Sequence, residues 1–183
     1  MRKHTQGGSS RAGGAALTWV LAALLLGISP GCGTAEPSAP IVVAPVDPGP
    51  VECAVCGMTV RDQPSPRGQV LHRNGEHKHF CALGDLRAYL QTPTPLGTPT
   101  AVWVEDLGPD FELLAFDVAP RPYIAADDAT YVVGSARPRI MGLPILSFSD
   151  PDVANRHASG AAKTAIWADL VTTPFNQIPK DTP

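Results

Sequence analysis

Through the middle of the chain, apolar and polar positions alternate with a period of two, and two helix-like stretches interrupt the alternation. Gly68-Gln69-Val70-Leu71-His72-Arg73 reads as a short strand, and the Asn74-Gly75 that follows is a strong hairpin signal. The return strand is His77-Lys78-His79-Phe80-Cys81. Its period puts His77, His79 and Cys81 on one face and Lys78 and Phe80 on the other. Gly84-Asp85 opens a short helix, Leu86 to Leu90, which Thr92-Pro93-Thr94-Pro95 ends, and Ala101-Val102-Trp103-Val104 is a further strand. A fainter second pass follows. Thr130-Tyr131-Val132-Val133 is a strand, a turn-rich loop runs past Pro138 and Gly142, and Ile145-Leu146-Ser147-Phe148 is the next strand. Ser149-Asp150-Pro151 starts a helix that reaches about Ser159 before Gly160, and Ala165-Ile166-Trp167-Ala168 closes as a strand. Strand, strand, helix, strand, twice over, predicts an α+β protein of two pseudo-equivalent units, residues 51–108 and 109–172.

Upstream, the pattern is that of export. Arg2, Lys3 and Arg11 precede an apolar run from Ala15 to Ile28 broken only by Thr18 and Gly27. A membrane span needs about 20 apolar residues, so this run suits the core of a secretory signal better than a span. It ends at Ser29-Pro30-Gly31-Cys32, which resembles a bacterial lipoprotein signal, with Ser29 and Pro30 departing from the usual pattern. The resemblance implies a signal over 1–31, a diacylglyceryl group on Cys32 as the mature N-terminus, and a membrane anchor facing the periplasm. Ordinary cleavage nearby would instead leave Cys32 as a free thiol. Residues 32–50 are rich in Pro and Ala without apolar periodicity, an extended tether. Residues 173–183 are expected to be a disordered tail.

Charge narrows the partners. The formal net charge is −3, and the three basic residues of the signal leave with it, so the mature chain is more acidic still. That balance excludes nucleic acid and a polybasic membrane patch as expected partners. It suits a protein that meets cations outside the cytoplasm.

The candidate chemistry lies where the tether gives way to folded sequence. Cys53-Ala54-Val55-Cys56-Gly57-Met58 sets two thiols and a thioether within six residues. Soft sulfur ligands select soft metals, and a thioether beside thiolates points to Cu(I) more than to Zn²⁺. A disulfide or a redox pair with a core methionine alongside is the plainer alternative. If Cys32 is acylated, Cys53, Cys56 and Cys81 remain, an odd number that a purely structural disulfide framework would not use. A thiol oxidoreductase would place its cysteine pair at a helix start, whereas Gly57 and the β-leaning Met58-Thr59-Val60 oppose a helix there. With no Gly-rich phosphate loop and no Ser-His-Asp arrangement, a non-enzyme is expected. Of the other histidines, His4 leaves with the signal, His157 is expected on a helix surface, and His72 has no assigned face.

Cys53 to Val60 resembles the Cys-Pro-x-Cys-Gly-Met signature of the NosL family, the nitrous-oxide reductase accessory lipoproteins. The resemblance continues through Phe80, Gly84 to Leu90, Ala129 to Ser135, Met141-Gly142 and Ile145 to Phe148, in the same order along the chain. It implies a periplasmic, membrane-tethered metallochaperone that binds Cu(I) and delivers copper for maturation of nitrous-oxide reductase. It also implies two small ββαβ units related to the C-terminal part of organomercurial lyase. The expected metal ligands are Cys53, Cys56, Met58 and Met141, with His79 and Cys81 as further candidates. Met141 stands in a loop beside Gly142 and Pro144, not on an apolar stripe. A thioether binds without losing a proton, which favours release to a recipient. The position after Phe80 more often carries Asp or Ser in such proteins, so Cys81 is this chain's departure. Its strand face with His77 and His79 is an auxiliary ligand cluster, a second metal site, or a set of exposed polar residues with one buried cysteine. Three alternatives stay open: a zinc-stabilised module on Cys53, Cys56, Cys81 and His79; a lyase-like enzyme with Asp85 as proton donor; and a thiol redox enzyme.

Overall fold

Among the described residues, seven short strands, in two antiparallel sheets, carry three helices. The computed structural model describes residues 43–64, 66–135 and 142–173. Residues 1–42 (which include the expected signal and Cys32), Met141 and residues 174–183 lie outside the described residues. β1 (Gly68–Leu71), β2 (His77–Phe80), α1 (Leu83–Leu90) and β3 (Ala101–Glu105) form the first ββαβ unit, and β4 (Tyr123–Ala125) adds to its sheet in the order β2-β1-β3-β4. β5 (Thr130–Val133), β6 (Ile145–Phe148), α2 (Pro151–His157) and β7 (Lys163–Ile166) form the second, with sheet order β6-β5-β7. α3 (Trp167–Thr172) follows. The expected α+β architecture of two ββαβ units is the one observed.

The hairpin register follows from its turn. Asn74 Oδ1 accepts from the Glu76 N–H at 3.1 Å, and β1 pairs β2 with Gly68 opposite Phe80 and Leu71 opposite His77. β1 also pairs β3, so it is an inner strand, and all four of its residues are buried. One face of the sheet presents Val70, Phe80 and Val104 to Leu83 and Leu86 of α1. The other carries Gln69 and Trp103, both buried. Gln69 is satisfied by the end of the tether: Val46 N–H donates to its Oε1 and its Nε2 donates to the Val46 carbonyl, each at 3.0 Å. The segment from residue 109 to 122 is held down by the buried pair Arg67–Glu105. Arg67 Nη1 lies 3.5 Å from Glu105 Oε1, and Arg67 Nη2 donates to the Val118 carbonyl at 2.6 Å.

In the second sheet β5 and β6 bury both faces because their residues alternate between two cores, while β7 is largely exposed. Val132, Leu146 and Phe148 pack on Val153 and Ala154 of α2, while Tyr131 and Ile145 join the core of the first unit. α2 begins where Asp150 accepts from the Asp152 N–H at 2.8 Å, with Pro151 in the first turn. It ends at His157, ahead of the expected Ser159. His157 is half-buried and not on an open helix surface. Its ring stacks on Phe148 with centroids 5.1 Å apart, because the last turn of α2 folds over β6.

The last element departs from expectation. The strand is Lys163–Ile166, and Trp167 starts α3 where a strand through Ala168 was expected. The spacing from Trp167 to Leu170 is helical, and both side chains turn inward: Trp167 tilts against Tyr131 and Leu170 is buried. Arg87 of α1, fully buried, fixes this helix. Its Nε donates to the Leu170 carbonyl at 2.7 Å and its Nη2 to the Thr173 carbonyl, placing a cation at the negative end of α3.

Candidate metal centre

The Cys53–Met58 segment folds as a tight loop closed by its own backbone. Glu52 bridges Thr59 in antiparallel fashion, Cys53 N–H donates to the Met58 carbonyl at 2.8 Å, and Gly57 N–H donates to the Cys53 carbonyl at 2.9 Å. Gly57 sits at φ 74°, a conformation that a side chain would disfavour, so the turn depends on it. No helix forms here, as expected. Ala54 N–H donates to the His79 carbonyl at 2.9 Å, which lays the loop against the end of β2. Immediately beyond β2 the chain turns into α1; Cys81 comes from that turn and Asp85 from the first turn of α1.

Four groups converge as a result. The sulfurs of Cys53, Cys56 and Cys81 and a carboxylate oxygen of Asp85 all lie within 4.8 Å of one another. Asp85 Oδ2 accepts from Cys53 Sγ and from Cys81 Sγ, each at 3.4 Å, and Cys56 Sγ lies 3.3 Å from Cys81 Sγ. Cys53, Cys81 and Asp85 are buried and Cys56 is partly exposed, so the cluster has one open edge. Gly84 allows the second unit to close on it. A Cβ there would stand 2.8 Å from the Leu143 carbonyl oxygen, so only glycine lets α1 and the β5–β6 connection approach this closely.

The electrostatics set the order in which protons leave. The Cys81 S–H beside Cys53 holds its thiol down at about 6, with help from nearby backbone N–H groups and against the cost of burial. Burial pushes Cys56 up. Cys81 is pushed far up, first by its role as donor to Cys53, then by burial. Protonated, Cys53 donates to Asp85; ionised, it accepts from Cys81. Cys53 is thus the thiolate of the resting cluster, and Cys81 keeps its proton until something displaces it. Three sulfurs and one carboxylate with replaceable protons constitute a site that a thiophilic cation fits.

The other expected ligands are placed as follows. Met58 is half-buried and packs on the core that contains Cys53 and Cys81. Met141 lies outside the described residues. Its neighbour Gly142 approaches the cluster, since a Cβ there would lie 3.9 Å from Asp85 Oδ1. His79 is not among the converging groups. Its Nδ1 is buried without a partner, and its ring stacks on His77 with centroids 6.1 Å apart. Asp85 is the residue that sequence reasoning assigned only to a lyase alternative. Its signal was the spacing of four from Cys81 across a helix start, which brings a side chain at the third helical position back over the preceding turn.

Fold and site together define a class: small α+β proteins of two ββαβ units with a thiol-rich pocket beside the first helix. Residues 48–169 match the family model NosL, and the chain belongs to the NosL family. Among relatives, it is 31% identical over 103 residues to the copper-binding lipoprotein NosL of Stutzerimonas stutzeri, covering 54% of this chain and 50% of that protein. It is 33% identical over 105 residues to the copper-binding lipoprotein NosL of Achromobacter cycloclastes, covering 54% and 52%. The match thus spans about half the length of these curated relatives. The crystal structure of the copper chaperone NosL from Shewanella denitrificans superposes with a TM-score of 0.58 at 27% identity, covering 73% of this chain and 98% of that one. These relatives are named for copper binding and chaperoning, and none of the names is that of an enzyme.

Proposed function

We propose that this chain is an exported, membrane-anchored carrier of Cu(I) that supplies copper for maturation of nitrous-oxide reductase. Convergence of Cys53, Cys56 and Cys81 within 4.8 Å, at a pocket with one open edge, is the observation that carries this reading. Cys53 and Cys56 are the thiolate ligands, Met58 and Met141 the thioethers, and Cys81 an additional sulfur. Support for Met141 is the approach of Gly142 to Asp85. His79 stays a weaker candidate beside the cluster. A diacylated Cys32 anchors the chain to the membrane, in keeping with relatives that are named lipoproteins. A thioether binds without losing a proton, which favours release of copper to a recipient. The chain carries its metal and does not catalyse with it.

Titration of the reduced chain against a chromophoric Cu(I) chelator tests this. Binding of about one equivalent is expected, with about a tenfold loss or more in Met58→Ala and in Met141→Ala. X-ray absorption on the loaded protein counts the sulfur ligands directly. No competition with the chelator would refute the carrier.

One observation favours a second reading. Asp85 brings a hard oxygen to the sulfurs, and zinc accepts carboxylate far better than Cu(I) does. A structural zinc site of Cys53, Cys56, Cys81 and Asp85 would make the fold zinc-dependent. Circular dichroism of chelator-treated protein separates the two: the carrier stays folded without metal, and the zinc module collapses.

A further inference from the structure

Cys81 gives this pocket a second chemistry. Its Sγ stands 3.3 Å from Cys56 Sγ, and a disulfide needs about 2.05 Å, so the sulfurs have roughly an ångström to close. The two backbones are already held together, because Ala54 N–H bonds to the His79 carbonyl at 2.9 Å. Cys56 is the partly exposed member of the cluster, while Cys53 and Cys81 are buried. Cys53 faces Asp85 at 3.4 Å. Cys56 is thus the thiol of the cluster that an external oxidant reaches, and Cys81 is the thiol 3.3 Å from it.

We propose that Cys56 and Cys81 form a reversible disulfide that closes the pocket to metal; this rests on the carrier function above, since it regulates the same site. The oxidant is a disulfide, either a small molecule or an oxidised dithiol protein. Cys56, as the exposed thiol, attacks one sulfur of that disulfide after giving up its proton. A mixed disulfide forms, and the first external thiolate leaves and takes that proton. Cys81 then attacks Cys56 Sγ. Its proton passes to Asp85 Oδ2, 3.4 Å away, and on to the second leaving thiolate. Two protein thiols are oxidised and one external disulfide is reduced to two thiols. A disulfide sulfur bears no charge and ligates Cu(I) poorly, so one bond removes two of the three thiols from the pocket. Reduction by a dithiol restores them.

The test treats the reduced full chain with oxidised glutathione, alkylates it, and maps its tryptic peptides. Cleavage after Arg61 puts Cys53 and Cys56 on one peptide, and cleavage after Lys78 and Arg87 puts Cys81 on another. A Cys56–Cys81 bond then appears as a cross-link between peptides, which fragmentation assigns, while a Cys53–Cys56 bond stays within one. The cross-link is expected after oxidation and absent after dithiothreitol. It should be lost in Cys56→Ser and Cys81→Ser and kept in Cys53→Ser. Loss of an outer-shell partner alone weakens metal sites by about 10–100-fold, so the oxidised wild type should bind Cu(I) at least about tenfold more weakly, and recover on reduction. A bond at Cys53, no bond at all, or an oxidised chain that binds Cu(I) undiminished would overturn the proposal. The mapping uses wild-type protein without copper, so a misfolded variant leaves it intact. A reduced chain that fails to bind Cu(I) would instead remove the carrier function, with the Cys56–Cys81 pairing decided separately.

Discussion

Acidification is the perturbation that most directly tests whether the cluster holds Cu(I) as proposed. Cys53 is held down at about 6 because Cys81 donates to the thiolate, while burial pushes Cys56 up from its ordinary value. If Cu(I) is held by these two thiolates and by neutral thioethers, the number of protons it displaces changes with pH. Above about 6, Cys53 is already ionised and copper displaces one proton, from Cys56. Below about 6 it displaces two. Each displaced proton lowers the apparent affinity about tenfold per pH unit, or about 1.4 kcal/mol. Affinity should therefore fall about a hundredfold between about pH 8 and about pH 6, and about a hundredfold more for each further unit.

The assay is competition against a Cu(I) chelator whose own protonation is known, repeated across that range with the protein kept reduced. The diagnostic is a break in slope near 6. Cys53→Ser should abolish the break and leave a slope of one decade per unit. A slope of two already above 6 would add Cys81 to the ligand set. A slope uniform across 6 in the wild type, or no pH dependence, would refute the assignment of the resting thiolate to Cys53.

Three further predictions concern the frame around the site. Arg67 and Glu105 are both about 98% buried or more, so removing one charge strands the other; Arg67→Met should cost about 3–5 kcal/mol in urea unfolding, and a loss under about 1 kcal/mol would show the pair is dispensable. Gly84→Ala places a Cβ 2.8 Å from the Leu143 oxygen and should destabilise by about 1–3 kcal/mol while also weakening Cu(I) binding; unchanged affinity would mean that the β5–β6 side takes no part in the site. His157 is held below its ordinary pKa by burial, so the unfolded chain binds the proton more readily and stability is full above about 6.5 and declines as pH falls. Tm should drop on acidification, and His157→Phe should remove part of the drop, since His77 and His79 shift in the same direction; an unchanged slope would exclude His157 as a contributor.

The two ββαβ units were legible because their signals are local. Asn74-Gly75 sets a hairpin register by itself, and Asp150-Pro151 starts a helix by itself. α3 was not legible. Trp167-Ala168-Asp169-Leu170 carries too short a period to announce a helix, and what secures it is Arg87, some 80 residues earlier, donating to the carbonyls at its end. β4 is equally indirect: Tyr123-Ile124-Ala125 becomes a strand because β3 offers an open edge, with Val104 opposite Ile124. In both cases tertiary partners supply what a short segment lacks.

The site divides in the same way. A two-thiol, one-thioether loop can be read from six consecutive residues, and their types alone imply a soft cation. Nothing in those residues says that Cys81 lies within 3.3 Å of Cys56, because 25 residues and a hairpin separate them. Strand alternation even misleads here, grouping Cys81 with His77 and His79. Alternation ends with β2 at Phe80, and the turn into α1 then rotates Cys81 away from that row and towards Asp85. The histidine row remains on the sheet, where His77 stacks on Trp103 with ring planes 8° apart. Cys81 thus joins the Cys53–Met58 loop through a break in secondary structure. That break is why this pocket holds three thiols where its loop alone would supply two.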